Sequence, residues 1–214
     1  MEACASLVMV AAFPLLFVAV LGFIFYSQKK SREAWARVAT ALGLDYTEGS
    51  FFGIGAIEGE YQGYWVRIDT FTRGSGKNSK TYTRIQTFLN PQLTLGLAVY
   101  REHLFSGIGK MFGAQDIEIG DSAFDSRFLV KGADSDAVLR LLSPELRKQL
   151  LLYDDRVGPL NINDERVYYE SRGMLTDQAT IEHVLAGQQV VAQRLTRAFA
   201  ESSVPEPAYQ HSMA

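Results

Sequence analysis

AIEGEYQGYWVRIDTF (Ala56–Phe71) decides the fold of this chain. Two runs that alternate apolar and polar residues, Ala56 to Tyr61 and Tyr64 to Phe71, flank the dipeptide Gln62-Gly63. A two-residue connection between alternating runs is the pattern of a β-hairpin. Tyr64, Val66 and Ile68 then share one face of the second strand. Downstream, Thr81 to Leu89 is rich in Thr, Ile and Phe and ends at the turn-forming Asn90-Pro91. In Leu93 to Tyr100, the residues Leu93, Leu95, Leu97 and Val99 all point one way, as in a half-buried strand. The expectation is a four-stranded antiparallel meander, with Arg73–Lys80 (RGSGKNSK) at a hairpin tip.

Farther along, residues 103 to 113 read as helical or irregular and Ser126 to Lys131 as a strand. Asp134 or Ser135 caps a short helix through Leu142. Ser143-Pro144 opens another to about Tyr153, with Ser as cap and Pro at the first position. Leu160 to Asn163 and Arg166 to Glu170 bracket Asp164-Glu165 as a second hairpin. The clearest helix runs from Asp177 to about Ser202. Ile181, Val184, Leu185, Gln188, Val191, Leu195 and Phe199 form one stripe along it, interrupted only by Gln188. That stripe belongs on the sheet, with a coiled-coil partner helix as the alternative. The fold class expected is α+β, an antiparallel sheet domain with a long C-terminal helix. Seven strands closed by a helix leave a pleckstrin-homology-like barrel with insertions as the alternative.

At the other end, Leu7 to Tyr26 (LVMVAAFPLLFVAVLGFIFY) carries no charge. As a helix it would span about 30 Å, the hydrocarbon thickness of a bilayer. Residues 7–26 are therefore expected to cross the inner (plasma) membrane once. Lys29, Lys30 and Arg32 follow the span and no basic residue precedes it. The positive-inside rule would then place the N-terminus outside and the rest in the cytoplasm. The division expected is an anchor over residues 1–30, an α+β domain over 31–202 and a disordered tail over 203–214, where Pro205 and Pro207 fall. Pro14 can kink the span. Ser31 to Leu44 continues as an amphipathic helix with Trp35, Val38, Ala39 and Leu42 on one face and Gly43 as its stop. Trp35 belongs at the membrane surface or in the core, with the core favoured.

Chemical signatures are sparse. The net charge of −3 lacks the positive field of a nucleic-acid binder, so no nucleic acid is expected as partner. Cys4 is the only cysteine, which excludes an intramolecular disulfide and a cysteine-based zinc site. In RGSGKNSK, Phe71 stands where a phosphate loop needs its first glycine, Asn78 replaces Ser/Thr, and a strand follows. Gly53, Gly55, Gly59 and Gly63 miss the dinucleotide spacing. Asp116, Glu118, Asp121 and Asp125 form the densest acidic cluster, without the spacing of a calcium loop. His103, His183 and His211 make no metal-binding motif. No cofactor and no catalytic residue follow from these patterns, and enzyme activity is not expected. Arg73, Lys77, Lys80 and Arg84 are the candidate contacts for an anion or an anionic lipid.

DIEIGDSAFDSRFLVKGAD, LLSPELRKQLL and VYYESRGML together resemble uncharacterised bacterial families with a single membrane span and a cytoplasmic α+β domain. The likeness covers roughly residues 50 to 195. It implies an anchored domain and supplies no site residues, because such families carry no assigned activity. The function expected is a membrane-tethered interaction or scaffold domain, meeting the bilayer through residues 7–26 and a protein partner or a second copy through its soluble part. Peripheral binding of anionic lipid and an unrecognised enzyme are the alternatives.

Overall fold

The computed structural model describes residues 2–49, 53–101 and 115–202, apart from the side chains of residues 2–15, 17, 21, 24 and 115. Its elements are α1 (Glu2–Leu42), β1 (Asp45–Glu48), β2 (Gly55–Tyr61), β3 (Tyr64–Arg73), β4 (Lys80–Phe88), β5 (Ala98–Arg101), β6 (Gln115–Asp116), α2 (Ser122–Asp125), β7 (Phe128–Gly132), α3 (Ser135–Leu141), α4 (Pro144–Arg156), β8 (Leu160–Asn163), β9 (Arg166–Arg172) and α5 (Gln178–Ser202). The nine strands form one sheet in the order β1-β2-β3-β4-β9-β8-β5-β7-β6, antiparallel at every pairing. The chain is thus an α+β domain with an antiparallel sheet and a long C-terminal helix. The order is linear with β1 and β6 at its ends, so the described sheet is open and the barrel alternative does not hold.

The hairpin of β2 and β3 turns at Gln62 and Gly63, both at positive φ (51° and 84°), as a tight two-residue turn demands. Its register pairs Ile57 with Ile68, and Ile68 with Ile85 on β4. These residues, with Val66, Val167, Leu160 and Ile162, make the buried face. Onto it α5 sets Ile181, Val184, Leu185, Val191 and Leu195, all buried. The helix therefore packs on the sheet, where the sequence left a coiled-coil partner open. Asp177 caps it by accepting the Thr180 N–H at 2.8 Å. Asp134 and Ser143 likewise cap α3 and α4, with Pro144 in the first turn of α4.

The meander is one strand shorter than its pattern suggests. β2, β3 and β4 are consecutive, but β5 lies beyond β9 and β8. Of the expected Leu93–Tyr100 strand only Ala98–Tyr100 pairs, within β5, and Ala98 and Tyr100 are as buried as Val99. The reason is Asp164, in the β8–β9 turn. Its carboxylate accepts the N–H groups of Leu95, Gly96 and Leu97 at 3.3, 2.8 and 2.9 Å, and its carbonyl accepts that of Leu93 at 2.8 Å. Backbone donors spent on a carboxylate cannot also form a strand ladder. β1 and β6 went unforeseen because runs of four and two residues are too short to show a period.

The membrane expectation needs the larger correction. Among the described residues, no helix is long and apolar enough to cross a membrane. A span needs about twenty consecutive apolar residues. The anchor over residues 7–26, the single-pass inner-membrane location and the orientation argued from Lys29, Lys30 and Arg32 therefore do not stand. The expectations for residues 103–113 with His103, for the tail at 203–214 with His211, and for the side chains of Cys4 and Pro14 lie outside the described residues.

One glycine fixes how α4 meets α5. A Cβ on Gly187 would fall on the ring and hydroxyl of Tyr153. That hydroxyl donates to the His183 carbonyl at 2.5 Å, and the ring stacks on His183. Alanine is intrinsically the better helix residue by about 1 kcal/mol. Gly187→Ala is nevertheless expected to destabilise the fold by about 1–3 kcal/mol, because the tyrosine must leave its place. In a Tyr153→Leu background the same change should become neutral or stabilising. Urea unfolding of the four proteins checks this, and a more stable single alanine variant would refute it.

Candidate functional site

The last turns of α1 are built to hold one end of the helix in the domain. Trp35, Val38, Ala39 and Leu42 recur at three- and four-residue spacing and are buried against β1 and β2. Trp35 is fully buried and donates its indole N–H to the Leu175 carbonyl at 2.9 Å, which settles its place in the core. Gly43, at φ 69°, stops the helix, and the Leu44 N–H reaches back to the Ala39 carbonyl at 2.9 Å.

N-terminal to this plug the helix changes character. Leu16, Val18, Val20, Phe23, Phe25 and Tyr26 are all exposed, Phe23 by 73% and Tyr26 by 70%. Between Leu16 and Lys30 no described side chain is buried. Where this apolar arm meets the domain lies a cavity of about 570 Å³, with Phe25, Lys29, Arg32 and Ala36 on the helix side and Tyr46 and Glu48 on β1. Arg32 donates to the Gly53 carbonyl at 2.9 Å, and the Tyr46 hydroxyl donates to the Ile54 carbonyl. Burial raises the pKa of Tyr46; Arg32 opposes the shift and Glu48 adds to it. The phenol stays protonated and serves as a fixed donor. Of the expected basic collar, Arg32 thus ties down the segment before β2. Lys29 lies 4.0 Å from Glu33 in a solvent-exposed pair that contributes little. Lys30 is exposed.

The second candidate surface is the sheet face turned away from the helices. Alternation places Arg67, Asp69, Phe71 and Arg73 of β3 there, beside Tyr82, Arg84 and Gln86 of β4 and Arg166, Tyr168 and Glu170 of β9. Asp69 is the hub. It accepts from Arg84 through both oxygens at 3.1 and 3.0 Å and from Arg67 at 3.1 Å. Arg67 also pairs with Glu58 at 2.6 Å, and Arg73 with Glu170 at 2.8 Å. The guanidiniums of Arg73 and Arg84 lie 5.3 and 5.2 Å from the ring centre of Phe71. Burial raises the pKa of the Tyr168 phenol, with Glu170 adding to the shift and three arginines opposing it.

Two of the four expected anion contacts, Arg73 and Arg84, therefore meet on this face with carboxylates already against them. Lys77, in a short 3-10 turn, and Lys80, opposite Arg73, are exposed. Three of the four carboxylates of the acidic cluster are likewise occupied, and Glu118 is exposed. Asp116 pairs with Lys131 at 2.7 Å, Asp121 caps α2, and Asp125 accepts the N–H groups of Ile119 and Gly120 at 3.2 and 3.0 Å. Among the described residues no three His, Cys, Asp or Glu side chains gather as a metal site. The apolar arm was visible in the sequence as an uncharged run. Tyr46 and Glu48 were not, because β1 itself was missed.

No protein-family model matches the chain, and no curated protein does. Among solved structures it is similar to the crystal structure of the mycobacterial trehalose monomycolate transport factor A, with 12% identity and a TM-score of 0.49 over 80% of this chain and 93% of that one.

The hub on the open face is testable. Asp69→Ala leaves Arg84 without its bidentate acceptor and is expected to cost about 1–3 kcal/mol, with the exposure of its partners favouring the lower part. Asp69→Asn should recover part of the loss. Chemical denaturation reads both, and an Asp69→Ala protein as stable as the parent would show the network contributes nothing.

Proposed function

We propose that this chain is a non-catalytic interaction domain that works as a self-associated unit, two copies joined through the apolar arm of α1. The observation that carries the reading is the exposure of Leu16, Val18, Val20, Phe23, Phe25 and Tyr26 on one stretch of α1, next to a plug that fixes the helix in the core. Among the described residues of 31–202 the exposed large apolar side chains are Trp65, Leu139, Leu152 and Val190, each from a different element. Scattered single residues of that kind need no cover, whereas a contiguous run does.

A second copy is favoured as the cover by charge and by length. From Ala3 to Gln28 the chain has no charged residue, so two arms meet without like-charge repulsion. Residues 2–26 of α1 amount to about 37 Å of helix at 1.5 Å per residue. A helix pair of that length can approach the roughly 800 Å² per partner of a stable interface. A two-fold contact also uses the same patch on both copies, which an uncharged stretch of helix permits.

Sedimentation velocity on the full chain tests this. The parent is expected to sediment as a dimer or a larger closed oligomer, and Val20→Ser with Phe23→Ser to shift it at least about tenfold toward monomer. Both side chains are exposed, so the thermal midpoint of the monomer should move little. A parent monomeric at every concentration, or a double serine variant that associates as before, would refute the proposal. So would association seen only with added lipid vesicles.

A further inference from the structure

Away from the arm, α3, α4 and α5 enclose a groove of about 560 Å³. Its floor is apolar, from Leu141, Leu146 and Ala198, and its rim carries Arg140, Arg194 and Arg197. We propose that this groove is a docking site for a short acidic peptide segment of a partner protein, with carboxylates on the arginines and an aliphatic side chain on the floor.

The case rests on charge that the domain leaves uncompensated. Six of the fourteen arginines are spent: Arg67, Arg73, Arg84, Arg101, Arg127 and Arg147 each lie within 4.0 Å of a carboxylate. Arg140 and Arg194 have no such partner among the described residues. Arg197 has only Glu201, at 2.8 Å, in a pair whose side chains are 80% and 64% exposed. Three cations therefore face one exposed carboxylate, in a chain whose net charge is −3.

Arg194 and Arg197 also stand three residues apart on α5, so their like charges repel across one helical turn. A carboxylate between them removes that repulsion. The groove further receives the N-terminal end of α4, where Ser143 caps the thirteen-residue helix and the partial positive charge of the helix end adds to the rim. Planar guanidiniums bind carboxylates through paired hydrogen bonds, which favours extended acidic side chains over a bulky neutral ligand. Leu141 and Leu146 are buried beneath the groove, and the half-buried Ala198 is the apolar group a ligand side chain would meet.

Fluorescence anisotropy with the full chain and a labelled Glu-Glu-Leu-Glu-Glu peptide tests the assignment, with Gln-Gln-Leu-Gln-Gln as the neutral control. Saturable binding of the acidic peptide alone is expected, weakening as salt is raised. Arg140→Ala with Arg194→Ala should lower the affinity at least about tenfold with an unchanged thermal midpoint. Arg156→Ala with Arg172→Ala removes the same charge elsewhere and should leave binding intact. The proposal is overturned if the acidic peptide does not bind, if the groove variant binds as the parent does, or if the distant pair of substitutions weakens binding equally.

Discussion

The architecture turns on one amide that crosses from helix to sheet. Gln188 is fully buried in the apolar stripe of α5. Its Oε1 accepts the Thr87 hydroxyl at 2.8 Å and its Nε2 donates to the Ile85 carbonyl at 2.8 Å, so both ends of the amide are satisfied on β4. A purely apolar stripe can slide or rotate over a sheet at small cost. A buried amide cannot, because leaving it unpaired costs about 1–3 kcal/mol. Gln189 adds a second tie one residue on, donating to the Tyr61 carbonyl at 2.9 Å. Together they set the height of α5 over β2, β3 and β4, and with it the position of Gly187 under Tyr153 and of Arg194 and Arg197 beside α3.

The same residue shows how far sequence reading carries. The α5 stripe was plain at helical spacing, and Gln188 was visible as its interruption, but periodicity says nothing about what an interruption touches. The hairpin at Gln62-Gly63, the cap at Ser143, the choice of Asp134 or Ser135 as another and the start of α5 near Asp177 were legible because each depends on chemistry within a few residues. What failed depended on distance. Asp164 holds Leu95, Gly96 and Leu97 across nearly seventy residues, and that turned an alternating pattern into a loop. Hydropathy over residues 7–26 suggested a span, yet an uncharged run carries no information about what covers it. The arginine groove left still less trace, since Arg140 and Arg194 come together only when α5 folds back onto the helices before it.

Burial divides the sheet into two unlike faces, and this bears on where the molecule can work. The face under α5 and α1 is closed by the core. The opposite face is rich in arginine and aromatic rings, a combination that invites an anionic ligand until its partners are counted. Asp69, Glu58 and Glu170 already hold Arg67, Arg84 and Arg73, and a ligand there would have to displace charge-assisted bonds that are worth more than neutral ones. The Asp69 network stiffens the sheet and gives an incoming group little to gain at those arginines; Arg166, on the same face, donates to Gln86 and leaves its Nε without a partner among the described residues.

Free energy for recognition must therefore come from surfaces whose own contacts are incomplete, and the described structure holds two of opposite character. The arm of α1 presents apolar area to water, where association gains from its removal at roughly 25 cal/mol per Å². The groove of α3, α4 and α5 presents three arginines against one exposed carboxylate, Glu201, where the gain is electrostatic and limited by screening. Such surfaces select unlike partners. An apolar helix is indifferent to charge pattern and pairs readily with its own copy, whereas the arginine rim rejects any segment that is not acidic. Self-association through the arm would leave the groove unaltered, since the two are built from different elements. The domain would then present its groove twice in one assembly, and two linked weak sites raise the effective affinity for a partner carrying repeated acidic segments without any new contact.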